Sequence, residues 1–449
     1  VAGADIRRFS GDRRSTGAAI VRGVISSALI ALADAAIFPT LVLVAFAAQL
    51  TDDLVTIGLV PAMSAGLWFL PQLLARPLTH LTNRQVPWMT GAAIIRAAAV
   101  VLLAVIGFRD DLSNTQRLRS LLICYAAFVL ASGFAAVPAK ELVQRAIPPD
   151  QRSWFLRVRN LWAIAGGAVA AVLVFRVLGP EGPAFPKNFA YLFVVAAAAL
   201  IAAVFFQARE REPATLPSDR LPLQGSTALN AARALLDTNF RRFLTFRIFA
   251  ALSTLADPFV ILYAFRELNT PLWAIGPYLA ALIFARLCIA PLWSAIATRA
   301  GHRAVLQGAA LARLLAPLVT LLLPFLADSS LYQNRFSDLR PLWYAFGIVF
   351  VLHGASLAGQ SNSTFAYLLD IAPADRRFAY IWMTNVILMV TAFAPLAGGY
   401  IIERSGFDRV FIVAALASLT AILASGLLTD THTRTRAVAQ TWRLRGARS

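Results

Sequence analysis

The sequence predicts an all-α integral membrane protein whose twelve spanning helices form two six-helix bundles, and three observations carry that reading. Hydrophobic residues make up 59% of the 449-residue chain and Asp, Glu, Lys and Arg only 14%, where an ordinary globular chain is about 45–50% apolar and about 25% charged. Runs of about 20 apolar residues, enough to cross a bilayer core, recur twelve times. The first six runs share motifs, in order, with the last six. A soluble fold has no interior large enough to hide so much apolar surface. A soluble enzyme, a disordered chain and a disulfide scaffold are therefore excluded.

Along the chain the runs cover approximately residues 20–44, 55–75, 88–108, 119–143, 158–178, 189–207, 243–265, 273–297, 304–326, 342–367, 379–402 and 409–428, spans 1 to 12. Span 1 follows a segment, 1–19, whose Arg7, Arg8, Arg13 and Arg14 read as a cytoplasmic flank. The apolar run behind them is far longer than a signal-peptide core and has no small-residue cleavage site. Spans 1 to 6 make an N-terminal bundle, 20–207, and spans 7 to 12 a C-terminal bundle, 243–428. Between them Ala208 to Asn239 is the longest polar segment, with Arg209-Glu210-Arg211-Glu212-Pro213 and further prolines, and predicts a cytoplasmic linker over 208–242. Residues 429–449 form a basic cytoplasmic tail. Lys and Arg resist translocation, and 28 of the 41 fall in segments that are inner when both termini are cytoplasmic, against 10 in outer loops. Both termini are expected inside, in a plasma or inner membrane.

The net charge of +18 sits in short basic clusters between apolar runs, like anchors on an anionic membrane face. Membrane lipids, not nucleic acid, are the expected partner. Cys124 and Cys288 both lie in apolar stretches and read as small core residues, not as a disulfide or metal pair. No G-x-x-x-x-G-K-[ST] loop, His/Cys cluster or G-x-S-x-G elbow occurs. The chain is expected to be no enzyme, to hold no metal or cofactor, and to draw on an ion or solute gradient.

The internal repeat is visible residue by residue. Ala28-Leu29-Ile30-Ala31-Leu32-Ala33-Asp34 of span 1 matches Ala251-Leu252-Ser253-Thr254-Leu255-Ala256-Asp257 of span 7 at a shift of 223. Gly91-Ala92-Ala93-Ile94-Ile95-Arg96 of span 3 matches Gly308-Ala309-Ala310-Leu311-Ala312-Arg313 of span 9 at a shift of 217. After spans 4 and 10, Pro148-x-Asp150-x-Arg152 with Asn160 matches Pro373-x-Asp375-x-Arg377 with Asn385 at 225. Three matches in one order at nearly one shift mark a duplication. Six spans separate the partners, so both halves run the same way through the membrane, a parallel repeat about an axis along its normal.

On these residues the chain resembles, over essentially its whole length, the major facilitator superfamily, built as six plus six helices with a cytoplasmic linker. The family's loop signature between helices 2 and 3, roughly G-x-x-x-D-R-x-G-R-R, is split between the halves. The first keeps Asn83-Arg84 but has Thr79, Val86, Pro87 and Trp88 where Gly, Gly and two basic residues belong. The second keeps Arg299-Ala300-Gly301-His302-Arg303 after Ser294 and Thr298. The Pro-x-Asp-x-Arg segments are similar to the family's loop between helices 4 and 5 and its twin. The antiporter signature, ending Gly-Pro-x-x-Gly-Gly, is reduced to Gly166-Gly167, with a similar Pro395-Leu396-Ala397-Gly398-Gly399 in span 11, where small residues let helices approach. The resemblance implies secondary transport by rocking of two halves around a midplane site. The physical reading of the loop charges Asn83, Arg84, Asp150, Arg152, Arg299, Arg303, Asp375 and Arg377 is a cytoplasmic gate, in which arginines at helix ends meet carboxylates and carbonyls across the seam. Basic loops that only hold topology are the alternative.

An ionisable group at mid-bilayer is costly unless it is paired or hydrated. Asp34 and Asp257 each lie about 14 residues into their spans, near the midplane at about 1.5 Å per residue. In the resembled fold helices 1 and 7 line the central cavity, so these carboxylates are candidates to bind protons or a cationic group. The alternative is that each pins a break in its own helix, beside Pro39 or Pro258. In span 10, His353, Ser356, Gln360, Ser363 or Thr364, and Tyr367 share one helical face. That face is expected to line a water-filled path, with a satisfied helix contact as the alternative. Imidazole is the side chain that titrates near neutrality, so His353 joins the coupling candidates, or else is a hydrogen-bonded packing residue. Arg286, in mid-span 8, needs an anion, either Asp257 or a substrate carboxylate or phosphate. Its repeat region in span 2 holds Ser64, Trp68 and Gln72. Arg286, Gln360, Ser356, Trp68 and Gln72 are the candidate substrate contacts. Arg96 and Arg313, about two turns from the inner ends of spans 3 and 9, are expected to snorkel or to pair with Glu141 and Asp370. Lys140, one of two lysines against 39 arginines, is a secondary candidate.

The expected function is secondary active transport of a small organic solute by a monomer, coupled to protons or another ion, with export slightly favoured over uptake. A transport-inactive scaffold or assembly subunit of a membrane complex is one alternative, and a lipid flippase another. A transporter predicts that Asp34, Asp257, Arg286 and the span 10 stripe converge on a wet cleft. A scaffold predicts them dispersed or tightly cross-paired.

Overall fold

The computed structural model describes residues 2–79, 84–210, 232–336, 338–373 and 375–429, with the backbone alone for 2–16, 73–79, 331 and 362. Among the described residues no strand occurs. Eleven helical segments are long and apolar enough to cross a membrane, and one of them holds two crossings. Leu272–Ala327 has 56 residues, about 84 Å at 1.5 Å per residue, where a bilayer core is about 30 Å thick. Gly301 divides it, with φ 82° and ψ 170°, a backbone that glycine adopts without the Cβ clash. Spans 8 and 9 meet there, and the described residues form an all-α integral membrane protein with twelve spanning helices.

Val1–Leu221 with Pro271–Ala280 forms one compact unit, and Pro222–Thr270 with Ala281–Ser449 a second. The opening residues of span 8 pack in the first unit, where Trp273 meets Phe175 edge to face at 5.7 Å. In that unit span 1 packs on spans 5 and 6, span 3 on spans 4 and 6, and span 2 on span 4. Gly166 makes the crossing of spans 1 and 5 close, since a Cβ there would lie 2.2 Å from the Ala28 carbonyl oxygen. In the second unit span 7 packs on span 12, and Gly398 of span 11 takes the equivalent place, its Cβ position 2.4 Å from the Leu255 oxygen. Ala28 and Leu255 belong to the two copies of A-L-x-x-L-A-D, so a repeated sequence has become a repeated helix crossing.

Both first spans break where that motif ends. The helix Ala2–Ala36 stops, Phe38 is extended at ψ 122°, and a π-helix follows over Pro39–Leu43. Pro39 accounts for the break: it has no N–H to donate, its ring clashes with the carbonyl four residues back, and it pushes the preceding residue out of the helical region. Span 7 is helical over Thr238–Leu252, tightens to a 3-10 turn at Ser253–Ala256, and restarts as Asp257–Glu267 with Pro258 in its first turn. Proline is tolerated there because first-turn N–H groups have no partner within the helix. Asp34 and Asp257 stand at these two breaks.

The start of span 7 is anchored by Asp237, which accepts hydrogen bonds from the amides of Asn239 at 2.8 Å and Phe240 at 3.4 Å and from Tyr380 Oη at 2.9 Å. Phe240, Phe243, Phe246 and Tyr367 form the core beneath it. In the first unit, Glu210 beyond span 6 meets Arg22 at 3.8 Å, and Gln207 donates to Ser26 Oγ at 3.2 Å. Burial pushes the Glu210 carboxyl up to about 7 against the opposing pull of Arg22. Cys124 is buried as expected, whereas Cys288 is exposed, so only one of the two free thiols is a core residue.

Gly166→Val is expected to cost about 1–3 kcal/mol by overpacking, read as a lower Tm in detergent. Gly91→Ala, where a Cβ meets nothing within 4 Å, is expected to be neutral or stabilising. Glu210 keeps its proton in the folded chain to about pH 7 but loses it near 4.5 when unfolded. Between those values the unfolded state binds fewer protons, so this carboxyl lowers stability as pH rises. Glu210→Gln should flatten that segment of a Tm-against-pH curve, and an unchanged slope would count against the assignment.

Candidate functional site

Each half holds the same ion pair between its first and third spans. Arg96 Nη2 donates to Asp34 Oδ1 at 2.8 Å, and Arg313 Nη2 donates to Asp257 Oδ1. All four residues come from the repeated motifs. Arg96 is the eleventh of 23 residues in Val86–Phe108, so the pair lies near mid-helix, not at an inner end. The expected snorkelling, or pairing with Glu141 and Asp370, is corrected: Glu141 pairs with Arg145 one turn on. A guanidinium at that depth keeps its charge, and a carboxylate beside it neutralises what hydrocarbon cannot solvate. The arginine side chains are 9% and 6% exposed, while Asp34 is 50% and Asp257 21% exposed, so the acids are the accessible members.

The surroundings of the two pairs differ. In the first half Arg96 Cζ lies 4.8 Å from the centroid of the Phe128 ring, a cation–π contact, and Phe128 stacks on Tyr125 at 6.0 Å. At the shift of 225 these two residues correspond to His353 and Phe350 of span 10. His353 Nε2 stands 3.1 Å from Asp257 Oδ1, and Nδ1 stands 2.8 Å from the Val349 carbonyl oxygen. Arg313 is held further by Ser253, Nε to Oγ and Nη2 to the carbonyl oxygen, both at 3.2 Å. The first half has Ile30 at that repeat position.

The His353 ring has an oxygen on each side. Both ring nitrogens face oxygens, a carbonyl that only accepts and a carboxylate that only accepts when ionised, and a neutral imidazole carries one N–H. Both contacts are made together only with one further proton, on the ring or on Asp257. A neutral ring keeps one of the two contacts, to Asp257 of span 7 or to Val349 of its own helix, according to which nitrogen carries the hydrogen.

The rest of the polar stripe on span 10 also meets protein. Arg247 Nη1 of span 7 donates to Gln360 Oε1 at 3.3 Å and Thr364 Oγ1 at 3.5 Å, and Gln360 Nε2 donates to Ser356 Oγ at 3.0 Å. Ser356 and Ser363 are buried. Tyr367 is fully buried and donates to the Thr429 carbonyl oxygen at 3.1 Å. The stripe thus meets Arg247 of span 7, the helix contact named as the alternative to a water-filled path, while Gln360 and Thr364 stay partly exposed. Arg247 escaped the sequence reading because a basic residue near the inner end of a span counts as a topology anchor. In span 2, Gln72 Nε2 donates one turn back to the Trp68 carbonyl oxygen at 3.0 Å. Trp68 is partly buried, with that carbonyl pressed on Gly133.

Asp257 is taken by Arg313 and His353, so it is not the anion of Arg286. The Arg286 side chain is exposed and, among the described residues, has no hydrogen bond or ion pair. Its neighbours Leu282 and Ala285 pack on span 10 at Gly354.

Of the gate residues, Arg152 Nη2 donates to the carbonyls of Gln144 at 2.8 Å and Ile147 at 3.2 Å, closing the end of span 4. Arg303 Nη2 does the same for span 12 at Gly426, at 2.8 Å. These two are C-terminal caps within their own halves, a role the gate reading did not include. Asp150 lies in the first turn of Pro149–Val177, at the positive end of the helix. Asp375 meets Arg376 at 3.3 Å. Arg84, Arg299 and Arg377 are exposed, and Asn83 lies outside the described residues.

Arg313→Met leaves a largely buried carboxylate without its cation and is expected to cost about 3–5 kcal/mol, most of it recovered when Asp257→Leu is added. The same cycle at Arg96 and Asp34 should show a smaller loss, because Asp34 is half-exposed. Denaturation in detergent reads both, and equal losses in the two halves would contradict the difference in burial.

The chain is similar to several solved transporters. A mutant of the nucleoside transporter NupG shares 14% identity over 91% of this chain and 99% of that chain, with a TM-score of 0.70. The POT family transporter PepTSo shares 12% over 94% and 98%, TM-score 0.67. A D-xylose-proton symporter shares 13% over 92% and 98%, TM-score 0.65. No protein-family model matches the sequence, and no curated protein does. The fold is the major-facilitator fold, twelve helices as two sets of six.

Proposed function

We propose that the chain is a secondary active transporter that moves a small organic solute by alternating access, coupled to protons. The observation that supports this reading is the placement of both His353 ring nitrogens against oxygens, one of them on Asp257. Proton uptake joins span 7 to span 10. Proton loss leaves the ring one hydrogen, and when Nδ1 keeps it for the Val349 carbonyl, Nε2 and Asp257 face each other as two acceptors and part. The joint lies at the break in span 7, where the helical hydrogen-bond ladder is already interrupted and movement costs least. Asp34, with Arg96 and an aromatic ring but no imidazole, serves as the unswitched counterpart.

Arg286 supports an anionic group on the solute. A guanidinium in a spanning helix with no anion among the described residues needs water or a ligand carboxylate or phosphate. Gln360, Ser356, Trp68 and Gln72 then play supporting parts, held by the contacts described above. The names of the structural neighbours, a D-xylose-proton symporter and transporters of nucleosides and of the POT family, support a solute carrier in general. Export is favoured over uptake by the sequence resemblance alone. The charge distribution supports cytoplasmic termini in a plasma or inner membrane, and a monomer suffices for the mechanism. A transport-inactive scaffold is the second reading, favoured by the cross-pairing of both aspartates.

In proteoliposomes the chain is expected to move carboxylate or phosphate solutes faster under a pH gradient than without one. His353→Phe, which copies Phe128, should abolish that gradient dependence while leaving exchange. Arg286→Gln should raise the half-saturation concentration for anionic solutes about tenfold, as loss of a charged hydrogen bond does. A scaffold moves no solute of the panel, and retained gradient dependence in His353→Phe removes the proton role.

A further inference from the structure

A cleft of about 720 Å³ opens in the first unit between spans 3 and 4, lined by Trp88, Gly91, Ala92, Ile95, Ala131 and Phe134, with Arg84 at its end. Arg84 is the one charged residue of that lining; the rest is apolar. The rings of Trp88 and Phe134 lie 5.7 Å apart along it. A Cβ on Gly91 would meet nothing within 4 Å.

The repeat shows what such a cleft takes. At the shifts of 217 and 225, Gly91, Ala92, Ala131 and Phe134 correspond to Gly308, Ala309, Ser356 and Gly359. In the second half that place is filled from within the chain by Trp293. Its indole lies 2.6 Å from where a Gly308 Cβ would be and 3.2 Å from a Gly359 Cβ, and Nε1 donates to the Ala355 carbonyl oxygen at 2.9 Å. In the first half, among the described residues, no side chain from span 2 covers Gly91, and Trp88 and Phe134 stand at the edges where the second half has Val305 and Gly359.

The surface around the cleft says what fills it. Ile94, Ile95, Val101, Leu102 and Val105 are exposed along span 3. In a spanning helix so apolar a face is covered by lipid tails. Gly91 and Ile95 are one turn apart, so the cleft opens on that face. Arg84 lies just before the helix Val86–Phe108, and a basic residue at the end of a spanning helix attracts anionic headgroups, while an indole such as Trp88 suits the boundary between tail and headgroup.

We propose that this cleft binds an anionic phospholipid, with one acyl chain lying over Gly91 between Trp88, Ile95 and Phe134 and the headgroup phosphate at Arg84. The site is separate from the Asp257 and His353 centre and does not depend on transport.

Native mass spectrometry of the detergent-purified chain, titrated with phosphatidylglycerol or with phosphatidylcholine of the same chains, tests it. Phosphatidylglycerol should bind about fivefold more tightly, the increment of one basic residue at a membrane surface. Arg84→Gln should bring the two lipids to equal affinity. Gly91→Phe, which places a ring in open space as Trp293 does in the other half, should weaken both lipids together without lowering Tm. Brominated phosphatidylglycerol should quench the wild-type chain more than Trp88→Phe. Equal affinity of the wild type for both lipids, a preference that survives Arg84→Gln, or binding unaltered by Gly91→Phe would each overturn the proposal.

Discussion

An arginine within hydrocarbon keeps its charge, and a carboxylate there sheds its own only by taking up a proton, so once both are placed at mid-membrane each requires the other. Arg96 with Asp34 and Arg313 with Asp257 satisfy this requirement in the two halves. The consequence reaches beyond the four side chains. A bond from span 1 to span 3, or from span 7 to span 9, fixes which helices are neighbours and at what depth they meet. The close crossings at Gly166 and Gly398 set the remaining distance of the first span of each half, against spans 5 and 11. With a polar bond and a backbone crossing at the same level, each half has one register in which all its charges are met.

Duplication supplied two copies of this unit, and divergence gave them different chemistry. Where the first half places the Phe128 ring on its arginine, the second places the His353 imidazole on its aspartate. An aromatic face only stabilises a fixed cation, whereas an imidazole brings two hydrogen-bonding nitrogens, here set against a carbonyl and a carboxylate. The same division recurs at the glycines of spans 3 and 9, one covered by Trp293 and the other left bare. In both cases the backbone arrangement survives while one side chain decides whether the place is inert or responsive.

The breaks beside Asp34 and Asp257 belong to the same economy of structure. Pro39 and Pro258 interrupt the helical ladder at the level of the ion pairs, so a polar bond between helices takes over from backbone bonds within one. In the proposed mechanism a change in protonation there acts on a segment whose helical ladder is already interrupted.

Apolar run length and charge placement were enough to find the twelve helices, because a bilayer requires every spanning segment to be long, apolar and internally hydrogen-bonded. Only Gly301, which joins two of them into one continuous segment, departs from a simple count. The repeat was equally legible, and it already contained both members of each ion pair, Asp34 with Arg96 and Asp257 with Arg313. What it did not contain was their pairing, since residues 62 and 56 positions apart meet only through the packing of first on third helix. The same holds for the span 10 stripe, whose periodicity marks a polar face but not whether water or Arg247 lies opposite. Sequence by itself determined depth, number and kinship of the helices, all properties of a chain read against its solvent. Tertiary structure alone decided which charge neutralises which, because that depends on the distance between side chains on different helices, and no pattern along one helix encodes it.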